Sequence, residues 1–239
     1  GRQMRNYIIE RIELRGEIIA EIERILPAGQ ILRQEPMSRH TTFRVGGPAE
    51  MFLKIRSAGE LQKLLTFFCE SGTKYFVVGN GSNLLVSDEG YDGVILHIAD
   101  GFQEIRIANE KITAQAGVLL GRTASAALEH SLTGLEFASG IPGSVGGGVV
   151  MNAGAYEGEM SQVVGRVKGI TPEGKEIEFA NEELDYGYRK SILKRKKIVV
   201  TEVEFRLFGG MRKEISAKMA DFAERRRVKQ PLEYPSAGS

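Results

Sequence analysis

Residues 134–154 contain seven glycines and one charged side chain, Glu136, and this stretch constrains the fold more than any other feature of the sequence. Glycine loses more conformational freedom on folding than any other residue, so the stretch is costly to order. Its uncharged part, Phe137–Tyr156, holds six glycines together with Pro142 and Asn152, which excludes a membrane-spanning helix. A backbone that a ligand can approach without an intervening Cβ atom would offset the cost of ordering.

The composition is that of an ordinary globular protein of one or two domains, with 42% apolar and 26% charged residues among 239. A net charge of +1 argues against a general polyanion binder, although it leaves room for a local basic patch. The single cysteine, Cys69, excludes an intramolecular disulfide and favours a reducing cytoplasm. His40, His97 and His130 lack metal-ligand spacing, so we expect no metal site and a structural or exposed position for each histidine.

Hydrophobic periodicity and turn residues predict an α+β protein of short strands and several helices. Strands are expected at Met51–Ile55, Tyr75–Val78, Leu84–Val86, Val94–Ile98, 104–107, 111–116, 163–171, 175–179 and 198–208. One or two helices are expected within 4–26, and further helices at 57–72, 120–131 and 213–228. Residues 27–48 are expected to form a loop.

The first glycine loop, Gly79–Asn83, lies between two predicted strands. A dinucleotide fingerprint would need glycine at position 84 and a helix after it, but position 84 is Leu84, so the Rossmann interpretation fails. The turn can still direct several backbone N–H groups at the oxygens of a phosphate. On spacing alone, an ordinary tight turn is an equally good interpretation.

The second glycine loop, Ser139–Gly148, lacks the lysine that ends a Walker loop, so an ATP-hydrolysing P-loop is excluded. Residues 149–153 could begin or continue a helix, whose N-terminus would attract an anion. The alternative is a glycine-rich packing turn, and the high glycine content favours a binding role over it.

The segment Tyr186–Lys197 has six basic residues among twelve and no acidic ones. Such a segment suits an anion pocket or an RNA contact, although a solvated charged loop is the commoner case. A second basic cluster, Arg225–Arg227 with Lys229, has the same two interpretations. The residues by themselves therefore predict a large phosphate-bearing ligand and no particular reaction.

Five separated motifs agree in order and spacing with one family, namely Thr41–Ala49, Gly79–Asn83, Ser139–Tyr156, Tyr186–Ser191 and Pro235–Ser239. From about residue 30 to the end, the chain resembles the shorter subtype of the UDP-N-acetylenolpyruvoylglucosamine reductases, flavoenzymes of bacterial peptidoglycan synthesis. The resemblance implies an FAD-binding fold of the vanillyl-alcohol-oxidase type. It divides the chain into an N-terminal helical segment (1–30), an FAD-binding domain of two α+β subdomains (31–208) and the start of a substrate-binding domain (209–239).

The resemblance also implies which residues bind the cofactor, and non-covalent FAD is expected because no histidine or cysteine lies in a glycine loop. The implied cofactor-binding residues are Arg44, Val45, Gly46, Gly47, Gly79, Asn80, Gly81, Ser82, Asn83, Ser139, Gly140, Ile141, Pro142, Gly143, Ser144, Gly146, Gly147, Asn152, Ala153 and Tyr156. NADPH would reduce the flavin, which would pass hydride to the enolpyruvyl group of a UDP-sugar.

Two catalytic residues are implied by the same resemblance. Arg189 would stabilise the enolate that hydride transfer creates, and Ser239 would protonate it. Tyr188, Arg226 and Lys229 would bind the substrate. The family continues beyond this serine with a segment that supplies a catalytic glutamate, so we expect residues 1–239 to bind FAD without completing the reaction.

The expected partner is the UDP-sugar, with no nucleic acid, membrane or obligate protein partner, in the cytoplasm. Two rival interpretations are another FAD-linked oxidoreductase of the same fold and a non-catalytic nucleotide-binding module. A third, RNA binding through residues 186–197, is disfavoured by the near-zero net charge and the few aromatic residues there.

Overall fold

The computed structural model of this chain describes residues 15–81, Leu84 and residues 86–229. The strands are β1 (Ile31–Pro36), β2 (Pro48–Ile55), β3 (Tyr75–Val78), β4 (Tyr91–Ile98), β5 (Ile105–Ala108), β6 (Lys111–Gln115), β7 (Leu132–Thr133), β8 (Gly154–Ala155), β9 (Gly158–Glu159), β10 (Val164–Ile170), β11 (Glu176–Ala180), β12 (Val199–Arg206) and β13 (Phe208–Gly209). The α-helices are α1 (15–25), α2 (Ala58–Ser71), α3 (Leu120–Glu129), α4 (Val145–Val150), α5 (Ile192–Arg195) and α6 (Arg212–Lys229).

Two sheets organise the chain. The first has the order β1-β2-β4-β3, in which β4 is parallel to both β2 and β3 and β1 is antiparallel to β2. The second has the order β11-β10-β12-β6-β5 and is antiparallel throughout. Because β3 and β4 are parallel, the first glycine loop leaves the sheet at the carboxyl end of β3, the edge at which open sheets of parallel strands bind ligands.

A single hydrophobic core joins the two sheets. It includes Leu53 of β2, Leu64 of α2 and Val203 of β12, all fully buried. A smaller cluster, in which Phe52 and Met37 are fully buried, lies on the other face of the first sheet and packs beneath the carboxyl end of β3. Packed apolar side chains therefore lie beneath the glycine loops.

Helix α2 begins and ends as its sequence predicts. The Ser57 hydroxyl accepts a hydrogen bond from the Glu60 backbone N–H, at 3.1 Å. The Glu60 carboxylate accepts from the Arg56 N–H at 2.9 Å, so the two side chains satisfy two backbone donors where the helix begins. Gly72 ends the helix in the left-handed region at φ 66°, where a residue without a Cβ atom meets no strain.

The strands predicted at 104–107 and 111–116, and those predicted at 163–171 and 175–179, pair as two hairpins, as the turn residues between them indicate. Asn109 adopts φ 55° between β5 and β6, and Gly174 adopts φ 86° between β10 and β11. The predicted helices at 120–131 and 213–228 are α3 and α6. Of the segment predicted to be helical at 4–26, residues 15–25 are helical and 4–14 lie outside the described residues. None of the helices in the described part of the chain has the length and apolar character needed to cross a bilayer.

Two of the predicted elements were wrong. Residues 31–36 are not loop but the edge strand β1, whose polar side chains and left-handed Gln34 (φ 51°) hide the strand pattern. No strand forms at Leu84 or Val86, because their neighbours bond to the segment before β2 instead, as when the Gly47 N–H donates to the Ser87 carbonyl at 2.8 Å.

Candidate functional site

The two glycine loops meet at one point in the fold. Gly79 follows β3, and Ser144 is the N-cap of α4. A Cβ atom on Gly79 would lie 2.6 Å from the Ser144 hydroxyl oxygen, closer than such contacts occur. Glycine at position 79 is therefore what lets two loops that are distant in sequence come into contact.

The segment Thr41–Gly47 lies beside the first glycine loop, so that it and the two glycine loops form three walls of one region. The Thr42 N–H donates to the Gly81 carbonyl at 3.3 Å, and Gly81 adopts φ 71°. A side chain at Gly81 would overlap the His40 carbonyl oxygen. Val45 lies in this wall with 45% of its surface exposed, although its apolar side chain would favour burial. The predicted residues Arg44–Gly47, Gly79, Asn80 and Gly81 thus share one region, while Ser82 and Asn83 lie outside the described residues.

The second glycine loop is held by backbone pairing to the residues that precede α3. The Leu120 N–H donates to the Gly143 carbonyl at 3.0 Å, and the Val145 N–H donates to the Val118 carbonyl at 2.8 Å. Leu119 bridges to Ser144 and is 48% exposed, although it is apolar. Sequence reasoning missed Leu119, because an apolar residue at the start of a predicted helix is read as a core position.

The three consecutive glycines of α4 differ in what surrounds them. A Cβ atom on Gly146 or Gly148 would lie 3.0 Å from a side-chain atom of Ala116 or Leu120, so packing within the protein accounts for both. A Cβ atom on Gly147 would meet only the Ser144 hydroxyl, at an ordinary 3.6 Å, and Gly147 is exposed. Nothing in the described fold requires glycine there, whereas a ligand lying against the backbone would. The region therefore fits a large phosphate-bearing cofactor.

The arginine loop, Tyr186–Ser191, is fastened to the far end of α4. The Tyr186 hydroxyl donates to the Val149 carbonyl at 2.8 Å, and the Ser191 hydroxyl donates to the Val150 carbonyl at 2.5 Å. Burial raises the pKa of Tyr186, which keeps the phenol protonated as a donor. Helix α4 thus joins the glycine loops at its start to the arginine loop at its end.

Arg189 is exposed within a tight turn of the arginine loop. The Gly187 and Lys190 backbones donate to each other's carbonyls at 3.2 and 3.3 Å, and Arg189 adopts φ 50°. Its guanidinium carbon lies 5.7 Å from the ring centroid of Tyr188, which is 88% exposed. The basic side chain predicted to be catalytic is therefore presented outward from an anchored backbone.

Some predicted cofactor residues have their side chains engaged by the protein. Asn152, which is 6% exposed, donates from Nδ2 to the Gly187 carbonyl at 3.1 Å and accepts from the Ser161 N–H at 2.9 Å. Tyr156 stacks on Phe222 of α6, with ring centroids 4.6 Å apart. For these two residues a direct contact with a cofactor stays a prediction.

The remaining predicted residues fall into three groups. Ser139, Gly140, Ile141 and Pro142 are half-buried within the second glycine loop, and Ala153 follows α4. Arg226 donates from its guanidinium to the Gly140 carbonyl, whereas Lys229 is exposed at the end of α6. Ser239 lies outside the described residues.

Two histidines, His40 and His97, pack together with Phe52 next to the first glycine loop. His97 of β4 is paired in register with Val78, and its Nδ1 is buried without a hydrogen-bond partner among the described residues. Its ring centroid lies 5.1 Å from that of Phe52 and 5.7 Å from that of His40. Burial lowers the pKa of His97, and the neighbouring His40 lowers it further, so the ring is neutral near pH 7. In the described residues, no three His, Cys, Asp or Glu side chains are grouped so as to hold a metal ion.

Comparison with known proteins extends this geometry. The FAD binding domain family matches residues 48–180. The UDP-N-acetylenolpyruvoylglucosamine reductase of Syntrophomonas wolfei is 45% identical over 220 residues, which cover 92% of this chain and 74% of that protein. The crystal structure of UDP-N-acetylenolpyruvylglucosamine reductase from Thermus caldophilus superposes with a TM-score of 0.75 at 36% identity, covering 87% of this chain and 73% of that one.

A more distant structure shares only the fold. Phl p 4.0202, a glucose dehydrogenase, has a TM-score of 0.65 at 12% identity and covers 89% of this chain and 49% of its own. These comparisons confirm the predicted α+β class and the FAD-binding fold of the vanillyl-alcohol-oxidase type. The identity, the coverage and the motif match together lead to one conclusion: this chain belongs to the UDP-N-acetylenolpyruvoylglucosamine reductase family.

Proposed function

We propose that this chain is an FAD-dependent oxidoreductase that uses NADPH to reduce UDP-N-acetylglucosamine enolpyruvate to UDP-N-acetylmuramate in peptidoglycan synthesis. The observation that carries the proposal is the meeting of the two glycine loops at Gly79 and Ser144, in a chain of this family. The meeting creates a stretch of exposed backbone suited to a pyrophosphate. Bound FAD would supply hydride transfer, which no side chain of the protein can perform.

The proposed cofactor site consists of the two glycine loops and the segment Thr41–Gly47, which precedes β2. Gly147 lets the backbone approach phosphate oxygens, because no Cβ atom intervenes, whereas glycine at positions 79 and 81 is required by the nearby Ser144 hydroxyl and His40 carbonyl. Exposed Val45 and Leu119 offer apolar surface beside them, suited to the faces of aromatic rings. Ser82 and Asn83 belong to this proposed site from the family resemblance.

Arg189 is the proposed electrostatic catalyst. A fixed guanidinium beside the substrate carboxylate would stabilise negative charge as it develops on the reduced enolpyruvyl group. The anchoring of the arginine loop by Tyr186, Ser191 and Asn152 supports this role, because a preorganised cation need not reorient during the reaction. Ser239 is the proposed proton donor, and Tyr188 and Lys229 are proposed to bind the UDP-sugar.

The domain boundaries and the cellular setting complete the proposal. Residues 31–208 form the FAD-binding domain, and residues from 209 onward begin the substrate-binding domain. The single cysteine supports a role in the reducing cytoplasm. The even balance of charges supports a small-molecule substrate rather than a nucleic acid.

The first prediction concerns Gly147→Ala. Because nothing in the fold crowds this position and alanine favours a helix, the free protein should be as stable as the parent or more so. A methyl group pressed against the cofactor costs about 1–3 kcal/mol, so the dissociation constant for FAD should rise about 5- to 150-fold. Flavin fluorescence titration of the apoprotein measures it.

Gly29→Ala is the matched control, because Gly29 is also exposed and lies away from the glycine loops, and a Cβ atom on it would meet nothing within 4 Å. It should leave FAD affinity unchanged. Equal affinities in the two variants would remove Gly147 from the cofactor site.

The second prediction concerns Asn152→Ala. The change leaves the half-buried Gly187 carbonyl and Ser161 N–H without their partner; an orphaned group that water does not reach costs about 1–3 kcal/mol. The arginine loop should loosen, and limited digestion with trypsin should cut after Arg189 or Lys190 several-fold faster than in the parent.

Asn181→Ala provides the comparison, because the Asn181 amide donates to the Ser161 and Val164 carbonyls, both at 2.8 Å, without contacting the arginine loop. It should lower stability by a similar amount and leave the cleavage rate after Arg189 and Lys190 at the parent's value. If trypsin cut both variants at the same rate, the Asn152 side chain would have no specific role in ordering the arginine loop.

The third prediction separates the two half-reactions in the intact enzyme. Ser239→Ala should leave flavin reduction by NADPH unchanged, because that step needs no proton on the sugar substrate. Reoxidation by the enolpyruvyl sugar should slow by about 10²–10⁴-fold, as is typical when a general acid is lost. Stopped-flow flavin absorbance measures each step.

Arg189→Ala should slow the same oxidative step, and Arg189→Lys should recover little, because an ammonium lacks the planar fork that matches a carboxylate. If Ser239→Ala instead slowed reduction by NADPH and spared reoxidation, the proton-donor role would be wrong.

A further inference from the structure

Helix α6 packs one face onto the second glycine loop and its surroundings. Its contacts are with the 3₁₀ turn Glu136–Ala138, with α3 and with β7. Phe222 is buried and stacks on Tyr156, with the two rings inclined by only 7°. Arg226 lies one helical turn beyond Phe222, on the same face.

Arg226 differs from the basic residues around it. Its guanidinium donates to the Gly140 carbonyl, and its Cδ would lie 3.4 Å from a Cβ atom placed on Gly140. Arg225 and Arg227 are exposed and pair within the helix with Asp221 and Glu224. Of these three arginines, Arg226 is the one whose guanidinium is directed at a backbone group outside its own helix, the Gly140 carbonyl.

The Gly140–Ile141 peptide unit is consequently held at both ends. Arg226 donates to the Gly140 carbonyl at one end, and the Ile141 N–H at the other end donates to the Ala138 carbonyl at 3.2 Å. Because a peptide unit is planar, fixing both groups fixes the orientation of the plane. The orientation of this plane sets the direction in which the chain continues through Pro142 and Gly143 to Ser144, the N-cap of α4.

We propose that Arg226 is a positioning residue for the cofactor, which holds the second glycine loop in its binding conformation, rather than a residue that binds the UDP-sugar. The inference rests on the proposed function, because it assumes that this loop binds FAD. A hydrogen bond from a charged donor is stronger than one between neutral groups, which suits a residue that must hold a glycine-rich backbone in place. FAD and α6 would then stabilise each other's position reciprocally.

The test compares Arg226→Met with Arg227→Met in the intact protein. Methionine keeps an unbranched stem and favours a helix, so the change removes the donors and the charge and little else. Flavin fluorescence titration should give a dissociation constant for FAD about tenfold or more higher for Arg226→Met, the loss expected for a charged hydrogen bond. Arg227→Met should match the parent.

Three further measurements separate positioning from general stability and from substrate binding. The Arg226→Met apoprotein should melt below the Arg227→Met apoprotein, because the Gly140 carbonyl loses its donor, so FAD affinity is compared well below both midpoints. The visible circular dichroism of FAD-saturated Arg226→Met should differ from that of the parent. With FAD saturating, the KM for the UDP-sugar should stay within about twofold of the parent. Arg226→Lys should recover part of the FAD affinity, because it restores a charged donor.

The outcomes are distinguishable. A parent protein that binds no FAD would overturn the proposed function and this inference with it. A parent that binds FAD, with unchanged affinity in Arg226→Met, would overturn this inference alone. A raised KM for the UDP-sugar with unchanged FAD affinity would also overturn it and would return Arg226 to the substrate site.

Discussion

The contact between Gly79 and Ser144 is the constraint on which the rest of the site depends. At this point the end of β3 and the start of α4 are so close that a Cβ atom on Gly79 would lie 2.6 Å from the Ser144 hydroxyl oxygen, so any side chain there would displace Ser144. The contact joins a loop of the mixed sheet to a loop supported by the antiparallel sheet. These glycines are costly to order. They allow the two loops to approach each other and leave the exposed backbone free of side chains.

Helix α4 extends this arrangement although it is only six residues long. Its first turn belongs to the second glycine loop, and its last carbonyls accept hydrogen bonds from Tyr186 and Ser191. The proposed cofactor site and the arginine loop are thus attached to opposite ends of one short helix. This gives a physical reason for the proposed catalytic arginine to keep a constant position relative to the flavin.

Much of this could be predicted from the sequence, because its signals are local. The caps of α2, the hairpin turns at Asn109 and Gly174 and the glycine loops each depend on a few adjacent residues. Edge strand β1 was missed, because its pairing with β2 and not its own pattern makes it a strand. The anchoring role of Asn152, the exposure of Leu119 and the contact of Arg226 with Gly140 depend on residues distant in sequence, so no local pattern could reveal them.

The most direct test of FAD binding at the glycine loops is to measure how much flavin the purified protein binds and how it is released. We predict one FAD per chain, seen as a yellow chromophore, that stays in the supernatant when acid precipitates the protein. Non-covalent binding is expected because the described residues of the glycine loops contain neither histidine nor cysteine. A protein that takes up no FAD on titration, or that carries the colour into the pellet, would contradict this prediction.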